Sequence, residues 1–376
     1  MKIGILTLPL HTNYGGILQA YALQTVLKRM GHEVKVIDRP WAVKIDWSRY
    51  PLRVIKRIIL RLFFRKQVGI IPELILNRQL AIVEKYTKGF IISNIDTYRI
   101  KDLTNIDEKD FDAFIVGSDQ IWRPNYCKFH FHRIENAFLE FAKKWNIKRV
   151  SYAASFGTDC WEFTESETTS CQELIQLFDA VSVRELSGVK LCADYLNRND
   201  AEYVLDPTLL LSTDDYEKLI PNNFASKGNL MCYILDESSE INEFIDEIEK
   251  RYHLKAFRTN SKVEVSSIPA KNRIQPPIEQ WLAGFRDAKL VITDSYHACV
   301  FSILFHKPFI AIGNKKRGYS RFESLLGRLG IEERLLENVN QFKETLFSPL
   351  SEDVYMKLNY YKSLSICFLK NSLNNE

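Results

Sequence analysis

Residues 1–38 read MKIGILTLPLHTNYGGILQAYALQTVLKRMGHEVKVID. Ile3 to Leu8 is a nearly continuous apolar run, the pattern of a strand buried on both faces of a parallel sheet. The loop His11-Thr12-Asn13-Tyr14-Gly15-Gly16 follows, then a helical pattern from Ile17 to Met30 that stops at Gly31, a residue suited to a helix C-cap. Val34 to Ile37 reads as a second strand. Strand, helix and strand in this order imply a parallel sheet with right-handed crossovers.

Outward from this unit, residues 40–110 interrupt the alternation with helical, amphipathic material. The rhythm resumes with strands over Phe111–Val116, Lys148–Ala153, Ala180–Val183 and Tyr203–Leu205, with a helix from about Glu185 to Tyr195. Asp206-Pro207 closes this half, because proline restricts the residue before it and commonly marks a boundary. The second half repeats the pattern. Met231–Leu235, Lys255–Arg258, Leu290–Thr293 and Phe309–Ile312 read as strands, and Ile278–Asp287 and His297–Phe305 as helices. The expected organisation is two βα domains facing a cleft, 1–205 and 206–352, with a helical insertion at about 40–110 in the first. A last helix within 353–376 is expected to cross back onto the first domain.

The bulk properties agree with two globular cores. The chain has 376 residues, 46% hydrophobic and 26% charged, without low complexity or repeats. Net charge is +4, too small to argue for a nucleic-acid partner. Seven cysteines lie scattered, with no C-x-x-C pair, so neither a zinc site nor a redox dithiol is expected. Their number and spacing fit a reducing cytosol, and the start of the chain lacks a secretory h-region, so a cytoplasmic protein is expected.

Charge is nevertheless uneven. Residues 47–72 contain Arg49, Arg53, Lys56, Arg57, Arg61, Arg65 and Lys66 and no Asp or Glu, so the remainder of the chain is net acidic. The arginines recur every four residues and form a slowly winding stripe on a helix. Trp47, Leu52, Ile55, Ile58, Ile59, Leu62, Phe63 and Phe64 supply the apolar remainder. Such a helix either lies on an anionic membrane surface, through 47–66, or packs its apolar side on the domain and leaves the arginines solvated. In the first case the protein is peripheral at the inner face of the membrane.

Ligands in open α/β sheets sit at the C-terminal ends of the strands, so the segments following strands are the candidates for chemistry. Gly15 and Gly16 allow close backbone approach at a helix N-terminus that attracts anions, or merely relieve steric crowding. Gly117-Ser118-Asp119-Gln120-Ile121-Trp122 offers hydrogen-bonding groups for sugar hydroxyls and an aromatic ring for a pyranose face, or a capped turn with a core Trp. Ser151 to Gly157, including Ser155, ends in small polar residues that could line the same cleft or pack closely. Arg184, after Ala180–Val183, is a carboxylate's structural partner or a bidentate anchor for a phosphate or carboxylate ligand. The segment Thr293-Asp294-Ser295-Tyr296-His297 joins backbone N–H donors, a helix N-terminus and a titratable imidazole, which together can hold an anion and move a proton. Asn314 and Arg321 are candidates to close the same pocket.

These blocks, in this order, resemble the polysaccharide pyruvyl transferase family. The resemblance runs through Asn13 to Tyr21, Gly117 to Trp122, Ser182-Val183-Arg184-Glu185, Asp206-Pro207-Thr208, Thr293 to His297 and Arg321 to Leu326. It implies an α/β GT-B-like fold, two Rossmann-like domains facing a cleft. It further implies transfer of pyruvate from phosphoenolpyruvate to two hydroxyls of a sugar as a cyclic ketal. The acceptor would belong to a surface, exopolysaccharide or capsular polysaccharide or its lipid-linked precursor, with phosphoenolpyruvate as co-substrate and no cofactor or metal. Arg184 matches one donor-site arginine of the family, and His297 matches the histidine of its Arg-Leu-His segment. Ser295 stands where that segment has arginine, with Arg321 or Arg317 as candidate replacements. The resemblance places Arg184 and His297 in the donor site; with Asp119, the candidate to orient or deprotonate a sugar hydroxyl, they are assigned to catalysis. Asn13, Tyr14, Gly15, Gly16, Ser118, Gln120, Trp122, Ser155, Asp294, Ser295, Tyr296, Asn314 and Arg321 are assigned to substrate binding. Two other readings stay open: a GT-B glycosyltransferase using a nucleotide-sugar donor, and a non-catalytic glycan-binding relative.

Overall fold

The structure is a computed structural model that describes residues 1–39, 45–66, 68–263, 265, 267–313 and 318–374. The strands are β1 (Lys2–Leu6), β2 (Glu33–Asp38), β3 (Thr97–Arg99), β4 (Ala113–Val116), β5 (Lys148–Ala154), β6 (Ala180–Val183), β7 (Glu202–Tyr203), β8 (Leu230–Tyr233), β9 (Ala256–Phe257), β10 (Leu290–Thr293), β11 (Phe309–Ile312) and β12 (Leu335–Leu336). In the first half the helices are α1 (Tyr14–Arg29), α2 (Tyr50–Leu62), α3 (Pro72–Val83), α4 (Lys85–Asn94), α5 (Pro124–Phe131), α6 (Glu165–Ile175), α7 (Leu186–Leu196) and α8 (Thr213–Glu217). The second half adds α9 (Ser239–Arg251), α10 (Ile278–Asp287), α11 (Tyr296–Leu304), α12 (Tyr319–Leu329) and α13 (Glu352–Leu373).

Among the described residues every strand pairing is parallel. The first sheet has the order β3-β2-β1-β4-β5-β6-β7 and the second β12-β11-β10-β8-β9. The chain is therefore an α/β protein of two Rossmann-like domains in a GT-B-like arrangement. Each strand order reverses once, between β1 and β4 in the first sheet and between β8 and β10 in the second. Such reversals open a crevice at the strands' C-terminal ends.

Local sequence explains the central unit. β1 is apolar and buried from Ile3 to Leu6 except for Gly4, also buried, which leaves room for the Phe114 ring of β4. Asn13 caps α1, its side chain accepting from the Gly16 N–H at 3.2 Å. Gly31 takes φ +90 just past the helix end, a conformation costly for any residue with a Cβ. Expected and observed element ends differ by a few residues. One strand, β3, lies within the stretch read as helical. Three residues with no apolar alternation, Thr97-Tyr98-Arg99, form a strand only because the edge of β2 is there to pair with them.

The apolar core is continuous across both sheets on one side, running from Ile3 and Leu23 through Tyr216 to Trp281, Phe301 and Leu326. Tyr14 lies at the junction. Its ring sits 5.4 Å from that of Trp281, and its hydroxyl donates to the Pro276 carbonyl oxygen at 2.7 Å. α13 carries the chain back to the first sheet: Ser365 Oγ accepts from the Leu205 N–H at 3.0 Å, and Phe368 packs 6.2 Å from Tyr152. No described helix is long and apolar enough to cross a membrane.

Candidate functional site

A cleft of about 1390 Å³ lies between the two domains, where the two strand reversals face each other. The first domain lines it with the loop after β1, including Asn13, Gly15 and Gly16, and with Asp119 and Gln120 after β4. The second lines it with the loop Tyr233–Glu237, with Asp294 to His297 at the start of α11, and with Arg321 of α12. Leu76, Leu80 and Val83 of α3 form an apolar wall on one side.

Below the cleft floor lies a buried network of charges. Arg184 Nη1 donates to Asp206 Oδ2 at 2.7 Å, and Nη2 to Asp119 Oδ1 at 3.4 Å. The other Asp206 oxygen accepts from the Thr208 N–H at 3.0 Å and the Thr208 hydroxyl at 2.6 Å. His297 Nε2 lies 3.6 Å from Asp206 Oδ2, an ion-pair distance once the ring is protonated. Burial acts to raise the Asp206 carboxyl, but His297, Arg184 and Thr208 together hold it well below the usual carboxylate range. Asp119 follows the same logic: burial pushes it up, and Arg184, His297 and Arg321 outweigh that to lower it. For Glu185 burial dominates and raises its carboxyl, although Ser155 donates to it. Burial and the neighbouring Arg184 both press the Arg321 guanidinium down, yet an arginine retains its proton. The ring of Tyr296 stands between the two guanidiniums, 5.0 Å from Arg184 and 5.2 Å from Arg321.

Glycine decides how closely the domains meet. A Cβ on Gly15 would lie 2.0 Å from Nδ1 of His297, so the imidazole of the second domain packs directly on the start of α1. Asn13 Nδ2 donates to Asp119 Oδ2 at 3.3 Å, and Asp119 itself takes φ 65, a left-handed conformation that a side chain disfavours. Asp294 accepts from the N–H groups of Leu235 and Asp236 at 2.7 and 2.9 Å, and so ties the loop after β8 to the start of α11. Thr293 Oγ1 accepts from the Ser295 N–H at 3.0 Å and donates to the Tyr233 carbonyl at 2.7 Å, fixing the turn that presents α11.

Several residues expected in the cleft sit elsewhere. Trp122 is wholly buried and stacked on Phe138 at 4.9 Å, its indole N–H donating to the Ala137 carbonyl, so no sugar ring can reach its face. Ser118 lies under the floor, its N–H donating to Gln19 Oε1 at 2.9 Å and its hydroxyl to the Ala153 carbonyl at 2.9 Å. Ser155 is buried against Glu185, and Tyr14 faces the interdomain junction. Arg184 is buried between two carboxylates rather than open to a ligand, because its long side chain turns under the strand ends toward Asp206. Asn314 and Arg317 lie outside the described residues. Conversely, Asp206 and Gln19 were not singled out for the site. In the sequence Asp206 marks a domain boundary and a block of the family resemblance, with no sign that its carboxylate meets the site. Gln19, a polar residue in the apolar face of α1, anchors the loop that presents Asp119 by bonding Thr7 Oγ1 at 2.9 Å and the Ser118 N–H. Among the described residues no group of three or more His, Cys, Asp or Glu is arranged to hold a metal ion.

Fold and site together define an interdomain-cleft protein of the GT-B-like class, with histidine, arginine and carboxylates converging from both domains. The chain belongs to the polysaccharide pyruvyl transferase family, whose model matches residues 13–316. Among solved structures it is similar to UDP-GlcNAc 2-epimerase from Methanocaldococcus jannaschii, at 11% identity over 96% of this chain and 92% of that one, TM-score 0.45. It is also similar to UDP-GlcNAc 2-epimerase from Neisseria meningitidis bound to UDP-GlcNAc, at 11% identity over 99% of each chain, TM-score 0.46. A third is MurG from Acinetobacter baumannii, at 11% identity over 98% and 94%, TM-score 0.40. Among proteins of curated function, no sequence matches.

The charge network predicts a pH signature. In the folded protein the Asp119 and Asp206 carboxyls are depressed, so their contribution to stability is present above the unfolded carboxylate value of about 3.9 and is lost as pH falls below it. Arg184→Met removes their shared cation and is expected to cost about 3–5 kcal/mol at neutral pH. The two orphaned carboxyls should then titrate upward, so the deficit narrows as pH is lowered to about 5. Urea unfolding of both proteins across that range measures it, and a pH-independent deficit would contradict the assignment.

Proposed function

We propose that the protein transfers the pyruvyl group of phosphoenolpyruvate onto two hydroxyls of a polysaccharide sugar, forming a cyclic ketal. The observation that supports this most is that His297 and Arg321 line the same cleft as Asp119, facing it from the other domain, in a chain of the polysaccharide pyruvyl transferase family. Phosphoenolpyruvate carries a phosphate and a carboxylate, so its site needs cations and N–H donors. Arg321 and the N-terminus of α11 supply them, with Arg321 in the part that Ser295 cannot play. Arg184 acts from beneath, holding Asp119 and Asp206 in place.

The chemistry balances without an oxidant or reductant. A proton added to the methylene carbon makes the adjacent carbon electrophilic. One sugar hydroxyl bonds to that carbon, the carbon–oxygen bond to phosphate breaks, and a second hydroxyl closes the ketal. Of the two hydroxyl protons, one is matched by the new methyl group and one leaves with phosphate. His297 is the residue suited to move protons, because an imidazole carries one donor and one acceptor nitrogen and serves as acid or base. Asp206 orients it. Asp119, held below the ordinary carboxylate range, is a weak base but a good acceptor, which suits it to orienting a sugar hydroxyl.

Phosphoenolpyruvate is expected to raise the melting temperature of the purified protein while UDP does not, and acceptor glycans are expected to elicit phosphate release. Protection by UDP alone would sink the reading in favour of a nucleotide-sugar transferase. His297→Ala should lower the rate by about 10²–10⁴-fold. Gly15→Ala provides a sharper test. Alanine suits a helix at least as well as glycine, so any change in the melting curve reports the displacement of the imidazole rather than a loss of helix. Its Cβ occupies the place of the imidazole, so phosphate release should fall nearly as far as in His297→Ala. An active Gly15→Ala protein with an unchanged melting curve would remove the imidazole's position from the mechanism.

A further inference from the structure

The sequence leaves open which way the apolar side of the basic segment faces. If α2 were an ordinary surface helix, its apolar side chains would pack inward and its arginines would point out. Instead, Tyr50 is its one buried residue. Leu52, Ile55, Ile59, Leu62 and Phe63 follow helical spacing along one stripe, and Leu52, Leu62 and Phe63 are 68%, 68% and 78% exposed. Trp47 and Phe64, just beyond the two ends of the helix, are 67% and 65% exposed. Arg57 is on the opposite side, where its guanidinium donates to both carboxylate oxygens of Glu73 at 2.7 and 2.6 Å and clamps α2 to α3. The inward side of α2 is thus held by a salt bridge beside half-buried Val54 and Ile58, while the stripe from Leu52 to Phe63 faces water.

Lys56 and Arg53 border the stripe on one side. With Arg61, Arg65 and Lys66 they are exposed, and among the described residues none of the five forms a salt bridge. An apolar stripe spanning 12 residues, about 17 Å on a helix, bordered by cations and free of acids, matches the interface of a bilayer: acyl chains below, anionic headgroups beside them. A protein partner would need a complementary acidic rim around an apolar groove, whereas an anionic membrane offers both everywhere.

We propose that the outer face of α2, from Trp47 to Lys66, docks this protein on an anionic phospholipid bilayer. α3, clamped beneath α2, contributes Leu76, Leu80 and Val83 to the cleft wall, so docking sets the cleft one helix layer from the membrane. On the function proposed above, that position suits a sugar acceptor carried on a lipid, although the docking itself rests on the surface alone.

The test uses the full chain with vesicles of phosphatidylcholine, with and without phosphatidylglycerol, read by co-sedimentation. Binding is expected to the phosphatidylglycerol vesicles, at least tenfold weaker to phosphatidylcholine alone, and to decline as salt is raised. Each cationic side chain near the surface strengthens binding roughly fivefold, so Arg53→Gln, Lys56→Gln and Arg61→Gln combined should weaken it about a hundredfold. Leu62→Gln with Phe63→Gln should weaken it at least tenfold. Both variants should keep the melting temperature and the phosphoenolpyruvate shift of the unaltered protein. Failure to sediment, equal binding to neutral vesicles, or variants that bind as tightly as the parent would overturn the proposal. So would a stable dimer by light scattering that Leu62→Gln with Phe63→Gln dissolves, because the stripe would then belong to a second copy. Vesicle binding in a protein with no phosphoenolpyruvate shift would uphold docking and count only against the proposed reaction.

Discussion

Arg184 stands between Asp206 and Asp119, and the architecture of the cleft floor depends on that pairing. The three residues follow three different strands, β6, β7 and β4, and the guanidinium draws their loops to one point. Such an arrangement is stable only as a set. Burying an isolated carboxylate or guanidinium carries a penalty of several kcal/mol, and the mutual attraction offsets it only when each group has its partner. Arg184 lets two carboxylates remain ionised within a few ångströms of each other. One of them, Asp119, faces the cleft from below, and the other, Asp206, faces the imidazole of His297 in the second domain.

The second constraint is the contact between domains. The imidazole of His297 rests where any side chain on Gly15 would have to be, and Tyr14 beside it reaches the second domain through Trp281 and the Pro276 carbonyl. The start of α1 is therefore both a cleft wall and part of the apolar junction. Because the two strand reversals open toward each other there, groups from both sheets converge without any of them leaving its own domain. Rigid junction and converging groups are one feature: moving α1 would move Asn13, and with it the carboxylate of Asp119 that it supports.

Much of this was legible locally. Leu290–Thr293 and Phe309–Ile312 are strands in the structure as their unbroken apolar runs imply, and Asn13, Gly15, Asp119, Ser295, His297 and Arg321 line one cleft as residues following strands should. The errors have a common origin. Ser118 and Asp119 are adjacent, yet one lies under the floor and the other opens into the cleft, because a turn reverses side-chain direction within a residue. Trp122 has the composition of a sugar platform and the neighbours of a core residue. Arg184 has the chemistry of an anion clamp, and two carboxylates already occupy it.

The sequence by itself determined most of the alternation of strands and helices, the parallel α/β class and the family to which the chain belongs, since apolar runs, caps and ordered motifs are properties of neighbouring residues. Only the tertiary structure decided which polar groups face the cleft and which support it, that Asp206 meets His297, and that α2 turns its apolar face outward. Those outcomes depend on partners far apart in the chain. The side to which a helix turns is set by what it packs against, and here the Arg57–Glu73 pair claims the inner side of α2 and leaves the apolar stripe to the solvent.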